Sequence, residues 1–430
     1  MEFFIVGCII FGWEVLYCMN ADVVVIGGGP AGLVAAVSAK KSGAEKVVIL
    51  EREGELGGIL KQCIHNGFGT LLFHKDLTGP EYAERLISDV KEAGVQYFLN
   101  TMVISLTEDR KITAVNSEMG IFEIQARSVV LAMGCRERPR GNLLIPGSRP
   151  AGVFTAGVAQ RFINIDGFLP GREVVILGSG DVGLIMARRF TLEGAKVKAV
   201  YEIMSEPGGL KRNIVQCLDD FNIPLFLSHT VVKIHGKERV EGVTVARVDE
   251  NLKPISRTEK FVKCDTLLLS VGLIPENELS KEAGVRISNL TKGPVCDETM
   301  QTNVKGIFAC GNVSTVFDLA DYVAESGKIA GRFAADFSKG IVRSDNKVNI
   351  LPGKNVRSIF PEKFSFNGDL TLFLRVAKRF DKRVFVRIVP PGVQEMRMYA
   401  RPAEMIRIKV PIRKFLNVKG DLTVSVEAAD

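Results

Sequence analysis

Residues Ala21 to Gly32 read ADVVVIGGGPAG. The first six form a short β-branched run. The last six hold glycine at their first, third and sixth places and lead into a helix-like stretch that lasts to about Ser42. Strand, G-x-G-x-x-G and helix, in that order, make a dinucleotide-binding turn. In it Gly27 permits the tight turn, Gly29 lets the backbone approach a pyrophosphate, and Gly32 lets helix and strand pack closely. Pro30 and Ala31 open the helix, whose N-terminal end favours negative charge. A second apolar run, Lys46 to Leu50, ends in Glu51. That acid falls 19 residues past Gly32, close to the spacing of a carboxylate that holds a ribose.

The whole arrangement recurs downstream. Glu173 to Leu177 is a strand, Gly178-Ser179-Gly180-Asp181-Val182-Gly183 is the turn, and Lys196 to Tyr201 is the next strand, ending in Glu202, again 19 residues past the last glycine. One such hexapeptide is weak evidence, because many tight turns carry it by accident. Two complete units with matching acids leave that explanation little room. A carboxylate at position 202 accepts hydrogen bonds from both ribose hydroxyls and repels a 2′-phosphate, which favours NAD(H). Lys211 and Arg212 lie near enough in sequence to keep NADP(H) open.

From these turns outward the chain resembles the pyridine nucleotide–disulfide oxidoreductase superfamily over about residues 21–340. The further marks are VVLAMG at 129–134, LLLSVG at 267–272, and the run from Thr302 through Gly306 to Cys310-Gly311-Asn312. The last usually ends Gly-Asp, and Asn312 stands in for the acid as a group that still donates or accepts a hydrogen bond. The resemblance implies an α/β protein with a glutathione-reductase-like FAD domain and an inserted Rossmann-type NAD(P) domain. It assigns FAD to Gly27, Gly29, Pro30, Ala31, Gly32, Glu51, Arg52, Gly58, Ile59, Ala132, Gly134, Gly311 and Asn312. It assigns NAD(H) to Gly178, Gly180, Asp181, Val182, Gly183, Glu202 and Gly272. Asp318 to Asp321 open a helix that in relatives points its N-terminus at the flavin ring, which favours negative charge on the reduced flavin.

The run GGILKQCIHNGFG at 57–69, LTGPEY at 77–82 and MGCRERP at 133–139 are similar to one subgroup. It comprises FAD/NAD-dependent oxidoreductases associated with glycerol-3-phosphate dehydrogenase-like flavoproteins and, often, a small cysteine-containing redox protein. Subunits of multi-subunit amine and proline dehydrogenases are similar too. Disulfide reductases of the superfamily carry G-G-x-C-x-x-x-x-C, which would place sulfurs at Leu60 and His65. Without that dithiol the electrons leave by another route. Cys63 is the alternative: relatives with one thiol near the flavin reduce oxygen, peroxide or coenzyme A disulfide, and Lys61 or His65 would activate such a thiol. The plain alternative is a packed thiol, and for His65 and Asn66 a loop that orders itself. Thr78-x-x-Glu81 reads as a capping box for a helix to about Ala93.

Composition is that of a soluble enzyme: 430 residues, 46% hydrophobic and 24% charged, enough for two or three domains. The eight cysteines are scattered with no CxxC or CxxxxC pair, which speaks against zinc, a cysteine-ligated iron–sulfur cluster and a secreted disulfide framework. We read no metal site and a cytoplasmic setting. Residues 3–13 are apolar, but Glu14 ends the run short of the roughly 20 residues of a spanning helix. Met19 is the expected start of the native chain, with residues 1–20 an extension of no structural use.

The expected domains are 21–150 and 265–340 for FAD, 151–264 for NAD(P), and a small all-β domain over 341–430. The last carries eighteen Lys and Arg against nine Asp and Glu, which leaves the rest of the chain at −2 of the total of +7. Because these basic residues alternate with apolar ones, as in RVFVRIV and MIRIKV, they read as a solvated sheet face or a docking surface for an acidic partner, and not as a nucleic-acid site. The expected function is an NADH-linked electron-transfer subunit partnered by a dehydrogenase flavoprotein. A single-cysteine NADH oxidase or coenzyme A disulfide reductase, and an assembly subunit without turnover, are the rivals.

Overall fold

The computed structural model describes residues 17–341 and 343–429, in two compact units. The expectations for residues 3–13 lie outside the described residues. The first unit holds the chain up to Cys135 and from Pro275 onward. Its main sheet runs Gln96–Phe98, Val47–Leu50, Tyr17–Ile26, Gly120–Leu131, Lys111–Asn116, Thr101–Leu106, with Ile307–Ala309 added to Gly120–Leu131. The strand Tyr17–Ile26 pairs in parallel with its neighbours on both sides, so Val23, Val24 and Val25 are wholly buried and the run needs no polar alternation. The ladder begins at Tyr17, opposite Phe122, so pairing extends to residues before Met19.

Two helices lie against this sheet. Pro30–Lys41 follows the first turn, and the return helix Ala320–Ser338 packs on it through Gly327 and Gly331. A Cβ at these positions would fall 2.3 Å from the Ala31 carbonyl oxygen and 2.0 Å from that of Ala35, so only glycine allows the two backbones to approach this closely. Gly79–Glu92 is capped as its sequence predicts, with Thr78 and Glu81 hydrogen-bonded reciprocally.

The second unit, Arg136–Ile274, is a parallel sheet in the order Val153–Thr155, Thr266–Leu269, Glu173–Leu177, Lys196–Glu202, Leu225–Leu227. An antiparallel sheet of His229–His235, Gly242–Arg247 and Lys260–Lys263 accompanies it. The boundaries expected at 150/151 and 264/265 therefore move. Thr266–Leu269, expected to return the chain to the first domain, is instead an inner strand of the second unit, paired to both Val153–Thr155 and Glu173–Leu177. A buried parallel strand reads the same in either sheet, which is why the sequence did not place it.

The C-terminal region is all-β, as expected. One sheet runs Lys363–Phe364, Val348–Pro352, Leu422–Ala428, Val384–Val389, Val393–Arg397, and another runs Val356–Phe360, Leu370–Val376, Ile406–Val410. Its core is its own, with Phe364 and Phe415 at 4.5 Å between ring centroids. It is nevertheless part of the first unit. Phe373 stacks edge-on against Phe317 at 4.9 Å and meets Tyr322 at 5.4 Å, at the entrance to the return helix. Charges ring this contact: Arg375 pairs with Asp318, Arg407 with Glu325 at 3.0 Å, and Lys409 also with Glu325. These three basic residues face acids of the same unit, so the expectation of a free basic surface is corrected for them. Arg387, on the other sheet, is half-exposed and likewise paired within the unit, with Glu427 at 2.6 Å.

A buried acidic pair completes the attachment. Asp297 is 1% exposed and pairs with Lys347 at 2.6 Å, while neighbouring Glu298 accepts from the Ser365 and Asn367 amides at 2.7 and 2.8 Å. Burial, and after it the charge of Asp297, push Glu298 up to about 7. The folded state thus holds a proton that the unfolded chain releases at the ordinary carboxylate value. Stability from this group is full below that value and is lost as pH rises through about 7. We expect the advantage of the wild type over Glu298→Gln in unfolding free energy, measured by denaturant titration, to shrink from pH 5 to pH 8 by on the order of 1 to 3 kcal/mol. A pH-independent difference would refute this.

Candidate functional site

In the first unit the turn after Tyr17–Ile26 is built as its glycines require. Gly27 has φ +106°, and a Cβ there would lie 2.5 Å from the Ala132 carbonyl oxygen. At Gly32 a Cβ would sit 1.9 Å from the Gly27 oxygen. Gly29 differs: apart from its own neighbours in the chain, nothing lies within 4 Å of where its Cβ would be. This open backbone at the start of the helix Pro30–Lys41 has room that fits a pyrophosphate. Glu51, 5% exposed, accepts from the Gly28 amide at 2.6 Å and the Glu53 amide at 2.8 Å. Arg52 points outward beside Glu53.

Two other segments close on this turn. Gly57 donates its amide to the Gly28 carbonyl at 2.9 Å, and a Cβ on Gly58 would be 3.0 Å from the Gly29 Cα. Gly311, at φ +71°, would place a Cβ 2.7 Å from that of Ala31, and its amide donates to Ser326 Oγ at 2.9 Å. Asn312 accepts from the Phe317 amide at 3.0 Å through its side-chain oxygen, so it shapes the loop ahead of the return helix. Beyond this loop, Asp321 accepts from the Leu71 amide at 3.0 Å. Ala132 donates to the Ile26 carbonyl at 2.9 Å, and Gly134, at φ +73°, accepts from the Glu276 amide at 3.1 Å. The residues assigned to FAD from positions 27–32, 51, 58, 132 and 311 therefore converge on one cradle. Ile59 is 61% exposed next to it.

In the second unit the same design appears with a variation. Glu202, 7% exposed, accepts from the Ser179 amide at 2.8 Å, the Ser179 hydroxyl at 2.6 Å and the Met204 amide at 2.9 Å. In both units the acid thus holds the residue after the first glycine with one oxygen and the residue two places past itself with the other. Gly183 and Gly178 pack on Ser270, whose hydroxyl accepts from the Gly183 amide at 3.1 Å. At Gly180 a Cβ would be 3.1 Å from Ser270 Oγ, so this glycine borders a side chain instead of open space. Asp181 accepts from the Leu210 amide at 2.8 Å and from Asn213 at 2.6 Å, and the Gly208 amide donates to Ser179 Oγ at 2.8 Å. Segment 208–213 is therefore laced to the turn, a feature the sequence reading missed although Gly208-Gly209 marks it. Val182 is half-buried in the first turn of its helix, and Gly272, at φ +104°, accepts from the Arg138 amide at 3.0 Å.

Leu60 is 2% exposed in a short 3-10 turn, Gly58–Gln62. Cys63 ends that turn, donates to the Ile59 carbonyl at 3.3 Å, and packs under Gly79, whose amide donates to the Cys63 carbonyl at 2.8 Å. Burial pushes its thiol up to about 12, opposite to the direction a nucleophilic thiolate needs. His65 is hydrogen-bonded through Nδ1 to the Asn66 carbonyl at 2.9 Å and lies 5.1 Å from the Phe68 ring.

The two turns, each braced by a buried carboxylate, are a pair of dinucleotide-binding units of one design. The chain belongs to the pyridine nucleotide-disulphide oxidoreductase family, which it matches over residues 21–327. An opine oxidase subunit of Agrobacterium tumefaciens is 26% identical over 335 residues, covering 73% of this chain and 64% of its own. The hydrogen cyanide synthase subunit HcnB of Pseudomonas protegens is 26% identical over 288 residues, 62% of this chain and 60% of its own. The chain thus spans about three fifths of the length of these curated relatives. Among solved structures, thioredoxin reductase of T. acidophilum shares the fold with a TM-score of 0.59 and 24% identity, over 75% of this chain and 99% of that one. Among the described residues, no helix is long and apolar enough to cross a membrane.

Proposed function

We propose that the chain is an NADH-linked FAD subunit that exchanges electrons with a partner dehydrogenase in the cytoplasm. One observation carries the reading: the segment laid against the FAD turn holds Leu60 and His65 where a disulfide reductase of the family holds its sulfurs. Two relatives are, by name, subunits of larger oxidoreductases, which supports a partner. The partner class is a flavoprotein that oxidises glycerol 3-phosphate or an amino acid, with a small redox protein. Bound FAD and NAD(H) supply the hydride and electron chemistry. The chain's residues bind and orient: Gly29 opens the backbone to the pyrophosphate, Glu51 and Glu202 brace the turns and meet the riboses, and the return helix presents its N-terminus.

Anaerobic titration of the purified, flavin-loaded chain with NADH and separately with NADPH, followed by flavin absorbance, tests the reading. Bleaching by NADH is expected, and Cys63→Ser should bleach at a rate within about twofold of wild type, because its thiol is packed and protonated. Loss of reduction in Cys63→Ser would move the assignment to a single-cysteine reductase. A flavin that neither nucleotide bleaches would leave an assembly role without turnover.

A further inference from the structure

The loop from Gly311 to Leu319 begins against Ala31 of the pyrophosphate-facing helix and ends at the return helix, so it lines the flavin cradle. What holds this loop from behind is the C-terminal sheet. Arg375, 15% exposed in its side chain, pairs with Asp318, 11% exposed, and also donates to the Val316 carbonyl at 3.1 Å and the Ala403 carbonyl at 2.9 Å. The other oxygen of Asp318 accepts from the Met405 amide at 2.5 Å. Phe317, between these anchors, is 6% exposed and fills the gap between Phe360 and Phe373. On the neighbouring strand Arg357 stands within electrostatic reach of both, and burial followed by Arg375 depresses its guanidinium. Arg375 and Asp318 therefore meet in a largely dry setting where charge is poorly screened, with the more exposed Arg357 as a second arginine near the same carboxylate.

We infer that Arg375 and Asp318 are positioning residues for the flavin site, through which the C-terminal β region sets the reduction potential of the bound flavin. The inference rests on the proposed FAD site. Reduction adds negative charge at the flavin, which a net positive cluster behind the loop favours and a lone carboxylate opposes. A purely mechanical brace would act alike whichever partner is lost. An electrostatic one acts with opposite signs.

The test is the two-electron midpoint potential of the full-length, FAD-loaded chain, equilibrated against a reference dye, for wild type, Asp318→Asn, Arg375→Gln and the double variant. Asp318→Asn should favour the reduced flavin by about tenfold, a rise of ~30 mV, and Arg375→Gln should disfavour it by a similar factor. The double variant should fall between them, and Arg387→Gln, on the other sheet, should match wild type. Single-variant shifts of the same sign, or potentials unchanged with flavin bound, overturn the inference. If Arg375→Gln does not fold, Asp318→Asn decides alone, since an unmoved potential in that variant refutes it. A wild-type chain that takes up no FAD instead removes the flavin site itself, and the inference with it.

Discussion

Gly29→Val should weaken FAD binding by roughly ten- to a hundredfold while the apoprotein loses no more than the modest cost of valine at a helix N-cap, about 1 kcal/mol. Gly27 and Gly32 are held in place by the fold, since a Cβ on either would strike backbone at 2.5 Å or less. Gly29 meets nothing within 4 Å, so the protein itself has no use for a hydrogen at that position. A side chain there would intrude only on a ligand. Overpacking costs typically about 1 to 3 kcal/mol, which is roughly ten- to a hundredfold in Kd. Flavin content after purification and calorimetry of the stripped protein are the readouts. Equal flavin affinity in the variant would show that the pyrophosphate does not pass over this residue.

The second large effect concerns the choice of nucleotide. Glu202→Gln keeps an oxygen to accept from Ser179, gives up the bond from the Met204 amide, and removes the charge, so the Ser179 side of the turn is kept while the repulsion of a 2′-phosphate disappears. Two unit charges about 4 Å apart repel by roughly 1 kcal/mol in water and about 4 kcal/mol in a partly buried setting. The ratio of kcat/KM for NADPH to that for NADH should therefore rise by at least about fivefold. A ratio that does not move would assign Glu202 to bracing the turn alone.

Both turns were legible in the sequence because glycine spacing and a strand-end acid are local signals. The structure adds that both acids spend part of their hydrogen-bonding capacity on backbone amides, which no spacing rule announces. The capping box at Thr78 and the strands Val384–Val389 and Ile406–Val410 were equally plain, since each depends on neighbours in the chain. Long-range pairing was not. Thr266–Leu269 looks like a strand of either sheet, and only its neighbours decide. The net charge of the C-terminal region was countable, but whether Arg375 and Arg407 point to solvent or to Asp318 and Glu325 depends on how the sheet sits on the helix. The Asp297-Glu298 pair gave no signal at all, because two adjacent acids usually lie on a surface.

The interlock of Phe317 with Phe360 and Phe373 also bears on how such a chain could have arisen. A segment joined only by a tether can be lost or exchanged by recombination at its boundary, and the neighbour it leaves remains soluble. Here the same cut would strand an aromatic side chain and several carboxylates that have no other shelter. The catalytic framework and its C-terminal appendage must therefore change together, so a relative that dispenses with the appendage is expected to differ first at the positions matching 297–298 and 317–318.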